Sequence, residues 1–118
     1  MSVVFVYMTT RDTEEARRIG SDLVRGRMAA CVNVIDPMHS LFWWDGKVQE
    51  ERETVLIAKT SEDRVTELTE RVKSIHSYDC PCIVVIPVTY GNDAFLKWIH
   101  EQTRAESAPG PQNKIQEL

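Results

Sequence analysis

The stretch HSYDCPCI, from His76 to Ile83, gathers an imidazole, a phenol, a carboxylate and two thiols. Two thiolates flanking a proline can chelate a soft cation such as Cu(I), because the proline stiffens the loop. A structural zinc site takes four ligands, and the chain has no paired CxxC and no HxxxH. A disulfide across so short a span would be strained. His76 and Cys82 are therefore the candidate metal ligands, for copper or another divalent cation. The competing reading is plainer: Cys82 is a small apolar residue opening a strand, and Pro81 sits where no ladder donor is needed. His76 ends a helical pattern, where a cation suits the dipole. Cys31, in AACVN, is a conceivable nucleophile. It lies inside an apolar run, where a buried inert thiol is the expectation. Glu53 and Lys59 are six apart on one extended segment, hence on one face, and could line a pocket. No Gly-x-Ser-x-Gly elbow, P-loop or dinucleotide fingerprint is present.

The elements that must hold these residues can be read from periodicity. Val3–Met8 is a short β-branched run, a buried strand. Ala16, Ile19, Gly20, Leu23 and Val24 recur at helical spacing after Asp12, which forms a capping-box pattern with Glu15; Gly26 suits the helix stop. Met28–Ile35 reads as a second strand. Pro37 breaks or bulges the chain, Ser40–Trp44 is extended again, and Asp45-Gly46 signals a hairpin turn into Lys47–Thr60. Ser61 can cap a second helix with Val65, Leu68, Val72 and Ile75 on its buried stripe. Cys82–Thr89 is a fourth strand, and Asn92 or Asp93 caps a third helix carrying Phe95, Leu96 and Ile99. A shift of 51 residues carries Thr9, Asp12, Cys31, Val34 and Ile35 onto Thr60, Asp63, Cys82, Val85 and Ile86. The order and this echo predict an α+β fold: a ferredoxin-like split βαβ sandwich, βαββαβ plus a C-terminal helix, with two helices on one face of a four-stranded antiparallel sheet. Residues 1–103 form the single domain and 104–118 a polar tail.

The 118 residues suit one domain, and 42% hydrophobic content suffices for a small core. A formal net charge of −4 argues against nucleic acid as partner and permits cations. The aromatic RNP signature of RNA-binding ferredoxin-like domains is absent from VVFVYM and VLIAKT. No apolar stretch is long enough to span a membrane, and nothing at the N-terminus reads as a signal peptide. Three cysteines cannot all pair within one chain, which points to a reducing cytoplasm. The hairpin from Ala29 to Thr60 is far longer than the usual strand pair, with Phe42, Trp43 and Trp44 near its tip. Alternation puts one tryptophan on each face of the ribbon, and a lone ribbon cannot bury both. Another subunit that pairs with the ribbon is the economical solution.

The residues also match a known pattern. AACVNV (Ala29–Val34), Ser40, Phe42, Trp44 and Gly46 in SLFWWDG, Glu53, the Lys59–Thr60 pair, His76 and Tyr78 in HSYDCP, Pro87, Gly91 and FLKWI (Phe95–Ile99) resemble the CutA divalent-cation tolerance family. The resemblance runs from Val4 to Thr103. It implies a ferredoxin-like subunit, a PII-like homotrimer whose hairpins wrap neighbouring subunits, and tolerance to copper and other divalent metals. It implies cytoplasmic proteins without an established reaction, hence no enzyme; some eukaryotic members are linked to anchoring of an acetylcholinesterase. On this resemblance, clefts between subunits bind an ion or small ligand near Cys31, Asn33, Trp44, Glu53, Lys59 and Tyr78. The alternative is a PII-like signalling or docking trimer that senses a metabolite without metal. This chain departs from the family pattern H-P-Y-E-x-P-E at Ser77, Asp79 and Cys82. Where copper ligands are proposed in the family it carries Met8, Ile75 and His76.

Overall fold

β1 (Val3–Thr10) alternates in burial because Val4, Val6 and Met8 turn to one face of a sheet and Phe5, Tyr7 and Thr9 to the other. This computed structural model describes residues 2–104; the tail after Arg104 lies outside the described residues. β1 is flanked by β3 (Lys47–Ser61) and β4 (Ile83–Pro87), both antiparallel to it, and β2 (Cys31–Trp44) pairs with β3. The strand order is β2-β3-β1-β4. Each βαβ crossover thus skips one strand, which is the split arrangement expected.

α1 (Thr13–Arg25) and α2 (Val65–Ile75) cover the face bearing Val4, Val6 and Met8. Ala16, Ile19 and Leu23 of α1 and Leu68 and Val72 of α2 join Leu56 and Ala58 of β3 in one buried cluster. The approach is close: a Cβ on Gly20 would lie 2.8 Å from Val32 Cγ2 and 3.3 Å from Leu56 Cδ1. The start of α1 is as the capping pattern predicts, with Asp12 Oδ1 accepting the Glu15 N–H at 2.8 Å. It ends at Gly26, as expected, but Gly26 keeps φ at −84°, and the left-handed residue is Arg27, at φ 62°. Such a residue costs about 1 kcal/mol without glycine. Arg27 offsets this by donating through its guanidinium to the Gln102 carbonyl and Oε1, at 3.2 and 2.9 Å. That clasp ties α1 to α3 (Asp93–Gln102), which begins where Asn92 Oδ1 accepts the Ala94 N–H. Ser61 makes no side-chain cap; a 3-10 turn, Glu62–Arg64, intervenes before α2.

α3 lies on the opposite face, where Phe95 stands with Phe5 around the Lys59 ammonium at 5.6 and 5.4 Å. The rest of that face is open, with Val84 and Ile86 about half exposed. β2 and β3, of 14 and 15 residues, run for about 45 Å at 3.3 Å per residue. They account for the 50 Å long axis. Asp45 and Gly46, at φ 53° and 74°, make the expected two-residue turn.

The hairpin carries one irregularity that matters for the site. Ile35 pairs with Val55, but Met38 pairs with Glu53, so Asp36 and Pro37 together oppose Thr54. This β-bulge reverses the facing of every later residue in β2. Cys31 and Asn33 face the open side, and beyond the bulge Met38, Phe42 and Trp44 do too.

Candidate functional site

β1, β3, the hairpin tip and the loop between α2 and β4 enclose a cleft of about 650 Å³ on the open face. Trp44, Phe42 and Gln49 come from the tip, Glu51, Arg52 and Glu53 from β3, Thr9 and Arg11 from β1 and its end, and Tyr78, Asp79, Cys80 and Cys82 from the loop. Tyr78 closes the cleft by donating its hydroxyl to Glu53 Oε2 at 2.7 Å. Without the bulge, alternation would place Phe42 and Trp44 on the other face from Glu53.

The loop is held by two residues behind the cleft. His76 Nε2 donates to the Thr9 carbonyl at 2.8 Å, and its Nδ1 accepts the Tyr78 N–H at 3.0 Å. Its ring also packs on Tyr78, 4.7 Å between centroids. Glu15, fully buried, accepts the Arg11 N–H through Oε1 and the Ser77 N–H through Oε2, both at 2.9 Å. Burial disfavours the Glu15 charge, but these backbone donors outweigh it and hold the pKa below the usual carboxylate range. Glu15 is legible in the sequence only as half of a capping box; its second bond reaches a residue 62 positions away.

Burial, then the hydrogen bond and charge of Glu53, push the Tyr78 phenol well above its ordinary pKa. Burial and the Glu53 charge also raise the Cys82 thiol, against a hydrogen bond with Thr9. Cys31 is raised by burial, with Lys59 opposing. Both thiols are therefore protonated near neutral pH.

The residues singled out from sequence fall into two groups. Trp44, Glu53, Tyr78 and Cys82 meet at the cleft, with His76 behind them. Cys31, Asn33 and Lys59 share the same face but lie at its other end, where Cys31 pairs with Lys59 across β2 and β3. Lys59 and Glu53 are six positions apart along β3, about 20 Å. Thr9, Arg11, Gln49, Glu51 and Arg52 had no motif to announce them, although Glu51 alternates with Glu53.

A divalent cation does not fit His76 and Cys82 as one protomer presents them. A neutral imidazole has one lone pair, and the Tyr78 N–H takes it. Among the described residues no three His, Cys, Asp or Glu side chains gather to hold a metal.

The model of the CutA1 divalent ion tolerance protein family matches residues 4–102. The chain belongs to that family. A divalent-cation tolerance protein CutA of Archaeoglobus fulgidus is 43% identical over 97 residues, covering 82% of this chain and 94% of the relative. The chloroplastic CutA 1 of Oryza sativa is 39% identical over 101 residues, but these span only 57% of its length. The crystal structure of CutA1 from Oryza sativa matches with a TM-score of 0.86 at 38% identity, covering 88% of this chain and 95% of that one. The CutA structure from Archaeoglobus fulgidus, described as periplasmic, matches at 0.84 with 41% identity, covering 86% and 99%. CutA proteins thus carry names from more than one compartment. Among the described residues no helix is long and apolar enough to cross a membrane.

Proposed function

We propose that this CutA-family chain is a non-enzymatic, cytoplasmic homotrimer that serves tolerance to divalent cations, copper among them. Its single domain, residues 1–103, binds a small ligand or ion at clefts between subunits. The observation that carries this reading is the hairpin: Leu41, Trp43, Trp44 and Val48 are all more than half exposed on a ribbon whose outer edge is unpaired. A second and third copy would cover those side chains and bring the Cys31, Asn33 and Lys59 end of one face near the Glu53 and Tyr78 cleft of the next. The protonated state of Cys31 and Cys82 supports a binding role over thiol chemistry. Light scattering at micromolar concentration should give three times the chain mass; a monomer mass overturns the trimer.

An ion held directly would need donors from a second protomer, or release of His76 from Tyr78. Titration with Cu(I), Cu(II) and Zn(II) under mass-spectrometric detection tests this. Binding no tighter than to a His76→Ala, Cys82→Ala double variant would rule out direct metal binding at the loop. The engaged imidazole favours a second reading, a PII-like module that senses a metabolite without metal. It predicts ligand-dependent thermal shifts in the presence of chelator, and a metabolite screen without a hit would count against it.

A further inference from the structure

We propose that Cys80 and Cys82 form a redox modification site, where a peroxide joins the two thiols in a reversible disulfide. Both side chains line the same cleft. Both sulfurs are free, with Cys80 exposed and Cys82 half-buried. Neither residue belongs to a helix or strand: α2 ends at Ile75, β4 begins at Ile83, and the register with β1 starts where Ile83 meets Met8. The chain can therefore turn at Cys80 and Cys82 without disturbing the sheet register. Pro81 fixes its own φ at about −65°. In the extended form that this φ allows, each residue rises about 3.1 Å, which sets the Cα atoms of Cys80 and Cys82 about 6 Å apart. A disulfide spans roughly 4.4–6.8 Å between Cα atoms.

The number and spacing of the sulfurs decide what they can do. Among the described residues no group of three donors gathers for a metal, whereas a disulfide needs two sulfurs only. Cys31 lies at the far end of the face, paired with Lys59, so Cys82 is the thiol that Cys80 reaches within its own chain. So small a ring is strained, and strain makes a disulfide easily reduced, as regulatory bonds are and structural ones are not. With hydrogen peroxide the steps balance. The Cys80 sulfur attacks one oxygen, the O–O bond breaks, and the thiol proton leaves with the other oxygen as water, giving a sulfenic acid. The Cys82 sulfur then displaces the hydroxyl: the S–S bond forms, the S–O bond breaks, and the hydroxyl departs as water with the Cys82 proton. Two thiols are oxidised and one peroxide is reduced. Exposure makes Cys80 the attacker, while burial and the Glu53 charge keep Cys82 protonated until that second step. Tyr78, which closes the cleft through Glu53, stands two residues before Cys80, so the new ring shifts that latch.

The test treats the native full chain, in whatever assembly it adopts, with hydrogen peroxide in the presence of chelator. The protein is then unfolded, its remaining thiols are blocked with N-ethylmaleimide, and its tryptic peptides are weighed. Cys80 and Cys82 share the peptide 74–97, and Cys31 lies in 28–47. Peptide 74–97 should come out unlabelled and two hydrogens lighter, with 28–47 still labelled. Reduced glutathione in excess should restore both labels. Cys82→Ser should stop at the sulfenic acid of Cys80, trapped by dimedone, and Cys80→Ser should leave Cys82 labelled at the same dose. The Tyr78 ring signals should move in NMR when the wild type is oxidised. Two unreacted thiols, a Cys80 sulfinic or sulfonic acid beside a labelled Cys82, a bond to Cys31, a bond that glutathione leaves intact, or unmoved Tyr78 signals would each overturn the proposal.

Discussion

At the scale of single residues, the loop that carries the site is fixed by groups remote in sequence. Glu15 is the main example, since its buried carboxylate satisfies the N–H of Arg11 and of Ser77. Glu15→Ala leaves both donors without a partner and should cost about 3 kcal/mol in urea unfolding. A loss under about 1 kcal/mol would sink that account. The pH dependence follows from the direction of the shift. Glu15 has a lower pKa folded than unfolded, so its stabilisation is complete above the unfolded value, about 4.3, and is lost as pH falls through the folded value. Asp12, Asp22 and Asp36 are lowered too, so they act with the same sign. Glu15→Gln should therefore flatten the acid limb of the stability curve. The thiols make a second residue-level prediction. Exposed Cys80 should react with a thiol reagent at pH 7.5 well before Cys31 and Cys82, whose pKa values are raised. Fast labelling of Cys31 or Cys82 would revive a catalytic thiol. The residue types of HSYDCPCI were legible in sequence, but the use of His76 was not. Its ring is oriented by the carbonyl of Thr9, 67 positions away, and no local pattern encodes that contact.

At the scale of elements, strands and helices were readable because each follows one period, and departures came where a tertiary contact overrides a local signal. Gly26 is the helix stop, as its sequence suggests, but the left-handed turn falls on the next residue, Arg27, whose guanidinium is needed at Gln102. Pro37 announced a break in β2, yet its consequence for the site needs the partner strand. Counting alternation from Cys31 and Asn33 sends Trp44 to the other face, and only the pairing of Met38 with Glu53 returns it. The packing of α1 on the sheet depends on Gly20, which sequence places on the apolar stripe without revealing how near Val32 comes. Gly20→Ala should cost about 2 kcal/mol by overpacking. Val32→Ala opens the space the new methyl would occupy, so the double variant should lose less than the sum of the single losses. Strict additivity in denaturant unfolding would show that the 2.8 Å approach is not what makes Gly20 necessary.

At the scale of the molecule, a ribbon about 45 Å long on a domain of this size demands a cover. Sequence pattern asks only for that cover; the number three comes from the family resemblance. The buried cluster under α1 and α2 includes no residue of the hairpin tip, so the subunit core does not need the tip to fold. Trp43, 75% exposed, and Trp44, 64% exposed, are on opposite sides of the ribbon, which suits contact with more than one neighbour. Replacing both by serine should lower the mass seen in light scattering from trimer toward monomer at micromolar concentration. Far-UV circular dichroism should be unchanged, because the cluster is intact. Raising salt from 0.05 to 0.5 M should leave the wild-type mass unaltered, since burial of tryptophan, leucine and valine is not screened as exposed ion pairs are, over roughly a Debye length. Dissociation by salt would mean that charges hold the subunits together. A wild-type mass in the double variant would mean that the open face bearing Val84 and Ile86 assembles without the ribbon, leaving the tip free to serve the cleft alone.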